Sequence, residues 1–276
     1  MKKKITVPEI RESKTNGRKI AFVTCYDYTS ATIVEKSDIE MILIGDSLGM
    51  TMMGYEGTIG VTPEDIIHHG AAVRRGAPST FIIGDMPFGY YNESVEQGIH
   101  TANMLMRGIG CDAIKLEGGK RSAKVIKGIV DAGIPVCGHI GLTPQSSSNM
   151  GGFKVQGKSV EDAKALLEDA KAVEEAGAFM LMIEGVPIDV CQYIRRHINI
   201  PVVGIGAGPD CEIQALIMQD MLGFTDWVPK FAKKFADLRT IIIDAYNTYA
   251  KECNERSFPD TDHQYNTVIE GIENLK

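Results

Sequence analysis

The chain has 276 residues, of which 44% are hydrophobic, 24% charged and 7% aromatic, and its formal net charge is −7. This composition excludes collagen-like, disordered and low-complexity chains, and the acidic balance argues against nucleic acid or an anionic membrane as the main partner. No apolar run approaches the roughly 20 residues of a spanning helix, and the lysines at 2–4 lead into the polar residues 7–12 rather than a signal-type apolar stretch, so the expected location is the cytoplasm.

In chain order, apolar runs predict strands at residues 20–24, 41–45, 80–84, 113–116, 135–138, 179–183 and 202–205, with a fainter eighth around 224–228. Runs that are apolar throughout, rather than alternating, belong to sheets covered on both faces. Between them lie helix signals. Thr62-Pro63 opens a helix with acids in its first turn, Ser94 stands three residues before Gln97, and Ser159 stands three before Asp162. From Ser159 the face Val160, Ala163, Leu166, Leu167, Ala170, Val173 runs to Gly177, a fitting C′ residue. Phe231, Phe235, Leu238, Ile242, Ala245 and Tyr249 predict a last long helix whose stripe is core or interface. The six cysteines are scattered without C-x-x-C spacing, which predicts buried reduced thiols rather than a disulfide framework or a thiolate zinc site.

Repeated strand–helix units over this length leave a (β/α)8 barrel or an open doubly wound sheet. The ends of successive strands favour the barrel. They fall on Asp46, Asp85, Glu117, His139, Glu184 and Gly206, which a barrel gathers on one rim and an open sheet spreads along a line. No linker composition interrupts the alternation, so residues 1–276 are expected to form a single barrel domain with a C-terminal helical extension. Residues 143–158, polar and glycine-rich, form a connection longer than usual, either disordered or a lid.

Asp46, Asp85 and Glu117 are hard oxygen ligands on adjacent strands and point to Mg2+. Lys115 and Glu117, two apart, share one side of the fourth strand. Beside a metal site, the lysine would neutralise a substrate carboxylate or a developing oxyanion. Glu184 follows an apolar run, an environment that raises a carboxyl pKa towards that of a general base. His139 is divided between a site role and a satisfied core histidine; His68 and His69 are surface or packing residues. Gly204-Ile205-Gly206-Ala207-Gly208 suits a close backbone approach or a tight strand exit as well as a phosphate turn. A barrel with Mg2+, a carboxylate base and a lysine suits enolisation of a 2-oxo acid.

Asp46, Asp85, Lys115, Glu117, His139 and the glycine-rich run lie in stretches by which the chain resembles the ketopantoate hydroxymethyltransferase family almost end to end. The stretches are residues 24–31 (TCYDYTSA), 42–50 (ILIGDSLGM), 84–89 (GDMPFG), 115–119 (KLEGG), 138–146 (GHIGLTPQS), 154–158 (KVQGK), 175–178 (EAGA), 204–209 (GIGAGP) and 229–231 (PKF). The resemblance implies a (β/α)8 barrel of the phosphoenolpyruvate mutase/isocitrate lyase type, assembled as a homodecamer. The implied reaction joins a hydroxymethyl group from 5,10-methylenetetrahydrofolate to 3-methyl-2-oxobutanoate, giving 2-dehydropantoate through a Mg-stabilised enolate in pantothenate biosynthesis. It further implies Asp46 and Asp85 as direct Mg2+ ligands and Glu117 as the third metal-site acid. Asp46, Ser47, Asp85 and Lys115 would contact the oxo acid, Glu184 would accept the proton, and His139 would line the site. The chain departs from the family pattern at Gly185, where Cys is usual, and at Glu212-Ile213, where Asp-Gly is usual. A folate-independent lyase would not need GHIGLTPQS and KVQGK, and a non-catalytic barrel would be expected to have lost one of the five charged site residues.

Overall fold

A computed structural model describes residues 2–275. The chain divides into two compact units: one runs to Met218 and includes Pro229–Ala232, and the other comprises Gln219–Val228 and continues from Lys233. In the first, eight parallel strands close a barrel in sequence order. They are β1 (Ile20–Thr24), β2 (Met41–Ile44), β3 (Phe81–Asp85), β4 (Ala113–Glu117), β5 (Val136–Gly141), β6 (Met180–Glu184), β7 (Val202–Ile205) and β8 (Ile213–Leu216), with β8 pairing back to β1.

The helix signals act as the sequence suggests. Thr62 with Asp65 and Ser159 with Asp162 form reciprocal capping boxes, and Gly177 stands just past the helix Val160–Glu175 with φ +96°. Ser94 caps the helix Val95–Ile109 by accepting the Gln97 N–H, but the Gln97 side chain returns to the Glu93 N–H rather than to Ser94. Among the described residues no helix is long and apolar enough to cross a membrane. Five cysteines are buried and free, and Cys253 is exposed and free.

Alternate strand residues fill the barrel. Phe22, Leu43, Ile83, Ala113, Cys137, Met180, Met182, Val203 and Ala215 pack into one cluster. Ile5 and Ile10, from the N-terminal segment and the helix Val7–Asn16, join this cluster and close its lower end. The same inward parity, continued upward, places Asp85, Lys115, Glu117, His139 and Glu184 at the carboxyl ends of β3 to β6. There polar side chains gather above an apolar floor.

Two expectations are corrected. The eighth strand is Ile213–Leu216, and residues 224–228 contain no strand. Gln214 is polar and exposed, so β8 lacks the apolar run by which the other strands were predicted. The last long helix begins at Leu238, not near Phe231. Before it, the Phe235 N–H bonds to the Met221 carbonyl and the Leu238 N–H to the Leu222 carbonyl. These bonds tie the segment into a turn around Gly223, where an added Cβ would lie 2.4 Å from the Ala236 oxygen. The helix Leu238–Glu255 has no buried side chain.

Ile10 is fully buried. Ile10→Ala should lower stability by about 2–5 kcal/mol in urea denaturation, as for other large-to-small core changes. A loss under about 1 kcal/mol would show that the floor of the barrel collapses onto the space or never needed the side chain.

Candidate active site

Strand register brings the expected residues together. Asp85 stands beside Lys115, Glu117 beside His139, and Gly141 beside Glu184. Gly141, at φ +89°, has no room for a Cβ, which would lie 2.3 Å from the Glu184 carbonyl oxygen. Asp46, just beyond β2, donates its N–H to Oδ2 of Asp85 at 2.9 Å. Lys115 Nζ lies 2.9 Å from both oxygens of Asp85 and 3.5 Å from Oε1 of Glu117. Asp46, Asp85, Lys115 and Glu117 are 4%, 0%, 3% and 1% exposed.

Three carboxylates thus share one ammonium away from water. Burial, and then the charge of Asp85, pushes the Asp46 carboxyl well above the usual range. Burial also raises Asp85, with Lys115 opposing. For Lys115, burial disfavours the charge, but the facing carboxylates outweigh it and hold the ammonium well above its ordinary value. Burial works against ionisation of Glu117 too, and Lys115 and His139 together bring it below the ordinary value.

His139 Nδ1 is 3.6 Å from Glu117 and Nε2 is 3.3 Å from Glu184, neither aligned as a hydrogen bond. Burial and Lys115 oppose protonation of this ring, yet the two carboxylates raise it to about 9. His139 is therefore a member of the charged cluster, not a satisfied core histidine. Glu184 is the most open of the group, its side chain 15% exposed. Ser47 Oγ lies 2.7 Å from the hydroxyl of Tyr26.

Gln145, Tyr91 and Tyr26 were missed as individual residues. Gln145 Nε2 donates to Oδ2 of Asp46 at 2.8 Å and to the Met86 carbonyl at 3.0 Å, and its backbone N–H donates to Oε2 of Glu117 at 3.1 Å. Tyr91 donates its hydroxyl to Oε1 of Gln145 at 2.5 Å. Gln145 lies in the stretch 138–146, and a buried amide there was the available signal. Residues 143–158 start with the turn Pro144–Ser146, which carries Gln145 inward. They are later anchored by the Gln156 N–H on the Gly185 carbonyl at 2.9 Å.

Among the described residues, no three His, Cys, Asp or Glu side chains stand close enough to form a metal shell. Lys115 is drawn against Asp85, and Glu117 is engaged by Gln145. The donor set nevertheless fits Mg2+, which binds through one or two carboxylates and completes its octahedron with other oxygens. Asp46 and Asp85 are hard, adjacent and under-compensated, and Oε1 of Glu117 is buried without a hydrogen bond.

The two departures lie outside this cluster. Gly185, at φ +56°, makes the turn after β6. Glu212 is a buried brace: it accepts the Val202 N–H at 2.9 Å and the Arg195 guanidinium at 2.7 Å. The glycine-rich stretch after β7 is a tight exit, since a Cβ on Gly206 would lie 2.8 Å from the Phe231 ring. His69 bonds the Tyr26 carbonyl at 2.7 Å, a packing role.

The ketopantoate hydroxymethyltransferase family model matches residues 4–261. The chain is 49% identical over 266 residues to the 3-methyl-2-oxobutanoate hydroxymethyltransferase of Heliobacterium modesticaldum, with 96% of each chain covered. It is 44% identical over 283 residues to the protein of the same name from Syntrophobacter fumaroxidans, both covered in full. Among solved structures, phosphonopyruvate hydrolase in complex with oxalate and Mg++ has a TM-score of 0.62 at 12% identity, with 94% of this chain and 93% of that one covered. For 2,3-dimethylmalate lyase, a PEP mutase/isocitrate lyase superfamily member, the values are 0.60, 15%, 95% and 93%. At these identities the likeness is one of fold.

A carboxyl whose folded pKa is raised stabilises the fold in its protonated form. That stability is complete below the unfolded value of about 4 and is lost as pH rises through the folded one. Asp46→Asn keeps an oxygen for Gln145 and removes the charge. We expect a higher thermal midpoint at pH 7 without divalent cations, the gain shrinking as pH falls towards 4. An unchanged or lower midpoint at pH 7 would mean that the Asp46 charge is already compensated within the protein.

Proposed function

The chain belongs to the ketopantoate hydroxymethyltransferase family, and on that premise we propose that it transfers a hydroxymethyl group from 5,10-methylenetetrahydrofolate to 3-methyl-2-oxobutanoate, giving 2-dehydropantoate for cytoplasmic pantothenate biosynthesis. The observation that carries this reading is a single rim holding both a buried carboxylate cluster around Lys115 and the Glu184–His139 pair. Mg2+, held by Asp46 and Asp85 with Glu117 as the third acid, would polarise the oxo group and make the C3 hydrogen more acidic. In keeping with this, phosphonopyruvate hydrolase, of the same fold, is described with oxalate and Mg++.

The chain's own residues do the rest. Ser47, steadied by the Tyr26 hydroxyl, and Lys115 contact the oxo acid, and the Lys115 ammonium offsets negative charge developing on its oxo oxygen. Glu184 takes the C3 proton, and His139 Nε2, 3.3 Å from Oε2, orients that carboxylate. Both of the donor carbon's bonds to folate nitrogen break, one replaced by the bond to C3 and the other by a bond to a water-derived oxygen, and the proton taken by Glu184 and one from the water end on the two nitrogens of the departing tetrahydrofolate. A lyase of this fold would share the acids and the lysine, so the donor reading is supported by the family rather than by the cluster alone. The family resemblance also supports a homodecamer; light scattering from a monomer at micromolar concentration would contradict that assembly.

Glu184→Gln preserves size and removes basicity. The variant should still bind 3-methyl-2-oxobutanoate but fail to exchange its C3 hydrogen in D2O, and overall transfer followed by mass should fall by roughly 10²–10⁴-fold. Exchange at the wild-type rate would move the base elsewhere, with His139 next to be tested.

A further inference from the structure

Two of the buried cysteines face each other. Sγ of Cys191 and Sγ of Cys211 are 3.5 Å apart, and the two residues are 2% and 1% exposed. No other pair of cysteines makes such a contact among the described residues. Neither residue belongs to the set assigned to the reaction, so the pair is unexplained by the chemistry above.

The contact is held on both sides along the chain. Cys191, Gln192 and Arg195 lie on the helix Ile188–Arg196, and Cys191 and Arg195, four apart, share one of its faces. Against this helix runs the connection from β7 to β8. Gln192 Nε2 donates to Oδ2 of Asp210 at 2.5 Å, and the Arg195 guanidinium donates to Oε1 of Glu212 at 2.7 Å. Lys19 Nζ fastens the same connection, donating to the Asp210 and Cys211 carbonyls at 2.8 Å each. Residues 210, 211 and 212 thus each meet a partner on one helix, with the two sulfurs between two polar ties. A Cβ on Gly204 would lie 2.7 Å from Cys211 Sγ, so β7 is bare where that side chain rests.

The two thiols are unequal. The contact with Cys191 lowers the Cys211 thiol below its ordinary value; burial and Glu212 oppose, and Lys19 and Arg195 assist. The same contact, and then burial, raises Cys191. The thiolate is the nucleophile, which makes Cys211 the attacking sulfur and Cys191 the resolving one. Asp210, next to Cys211, is exposed, so the pair lies one residue beneath the surface, within reach of a small reactant only.

We propose that Cys191 and Cys211 are a dithiol that a small hydroperoxide closes into a disulfide, fastening the helix Ile188–Arg196 to the connection between β7 and β8. The Cys211 sulfur attacks one peroxide oxygen and the O–O bond breaks. Cys211 becomes a sulfenic acid, and the other oxygen leaves with the Cys211 proton as water. The Cys191 sulfur then attacks the sulfenic sulfur. The S–S bond forms, the S–O bond breaks, and hydroxide leaves with the Cys191 proton as a second water. Two thiols have given up two electrons, and the peroxide has been reduced to water.

The test uses the full-length Cys253→Ser protein, which lacks the exposed thiol. Hydrogen peroxide should lower its mass by about 2 Da, and peptide mapping should place the new bond between Cys191 and Cys211. The thermal midpoint should rise by at least about 3 °C, because the bond ties together positions 20 residues apart, and dithiothreitol should restore it. Adding Cys191→Ala should abolish both changes and leave a Cys211 sulfenic acid that dimedone traps. Two free thiols after peroxide, a bond mapped to another pair, or a mapped bond that leaves the midpoint unchanged would overturn the proposal. The mapping is read on the protein with both cysteines in place, so it stands even if Cys191→Ala does not fold.

Discussion

Lys115 reaches Asp85 at 2.9 Å and Glu117 at 3.5 Å, with Asp46 bonded to Asp85 through its backbone, and all four side chains are out of water. Opposite charges about 4 Å apart attract by about 4 kcal/mol at an effective dielectric near 20. One ammonium therefore offsets one carboxylate well and a second in part, but not three. The surplus is expressed in the raised pKa of Asp46 and Asp85 and in that of the His139 imidazole, which the facing carboxylates push up to about 9. A divalent cation would relieve the same surplus without retained protons; without one, the cluster is costly to the fold.

The barrel supplies the rigidity that such a cluster needs. Inward-facing residues on β3 to β6 alternate from the apolar floor to the polar rim, so Asp85, Lys115, Glu117, His139 and Glu184 are positioned by strand parity rather than by loops. Gln145 then locks the cluster from above. Its side chain holds Asp46, its backbone holds Glu117, and its own carbonyl oxygen is held by Tyr91. Losing this amide would leave buried acceptors unpaired and the carboxylates free to turn away from their common centre.

Much of this was legible in the sequence because two-sided burial writes itself as continuous apolar runs. Seven strands were legible as such runs, and the polar residues at or near the ends of β2 to β6 mark the rim. β8 escaped because Gln214 faces water, and Phe235 was misread as helical because backbone bonds to residues 221 and 222, invisible in a periodic pattern, hold the chain in a turn. Lys115 and Glu117 were correctly placed on one side of β4, while the partners that steady the site were not foreseen. Gln145 and Tyr91 act through contacts between distant segments, and no local spacing encodes those.

The most direct test of the charge imbalance is calorimetric titration of 3-methyl-2-oxobutanoate at graded Mg2+ concentrations, with wild type and Asp85→Ala compared and folding checked by circular dichroism. If the buried surplus is what recruits the cation, wild-type affinity for the oxo acid rises with Mg2+, and Asp85→Ala, still folded, loses most of that dependence. A folded Asp85→Ala protein with wild-type Mg2+ dependence would contradict it.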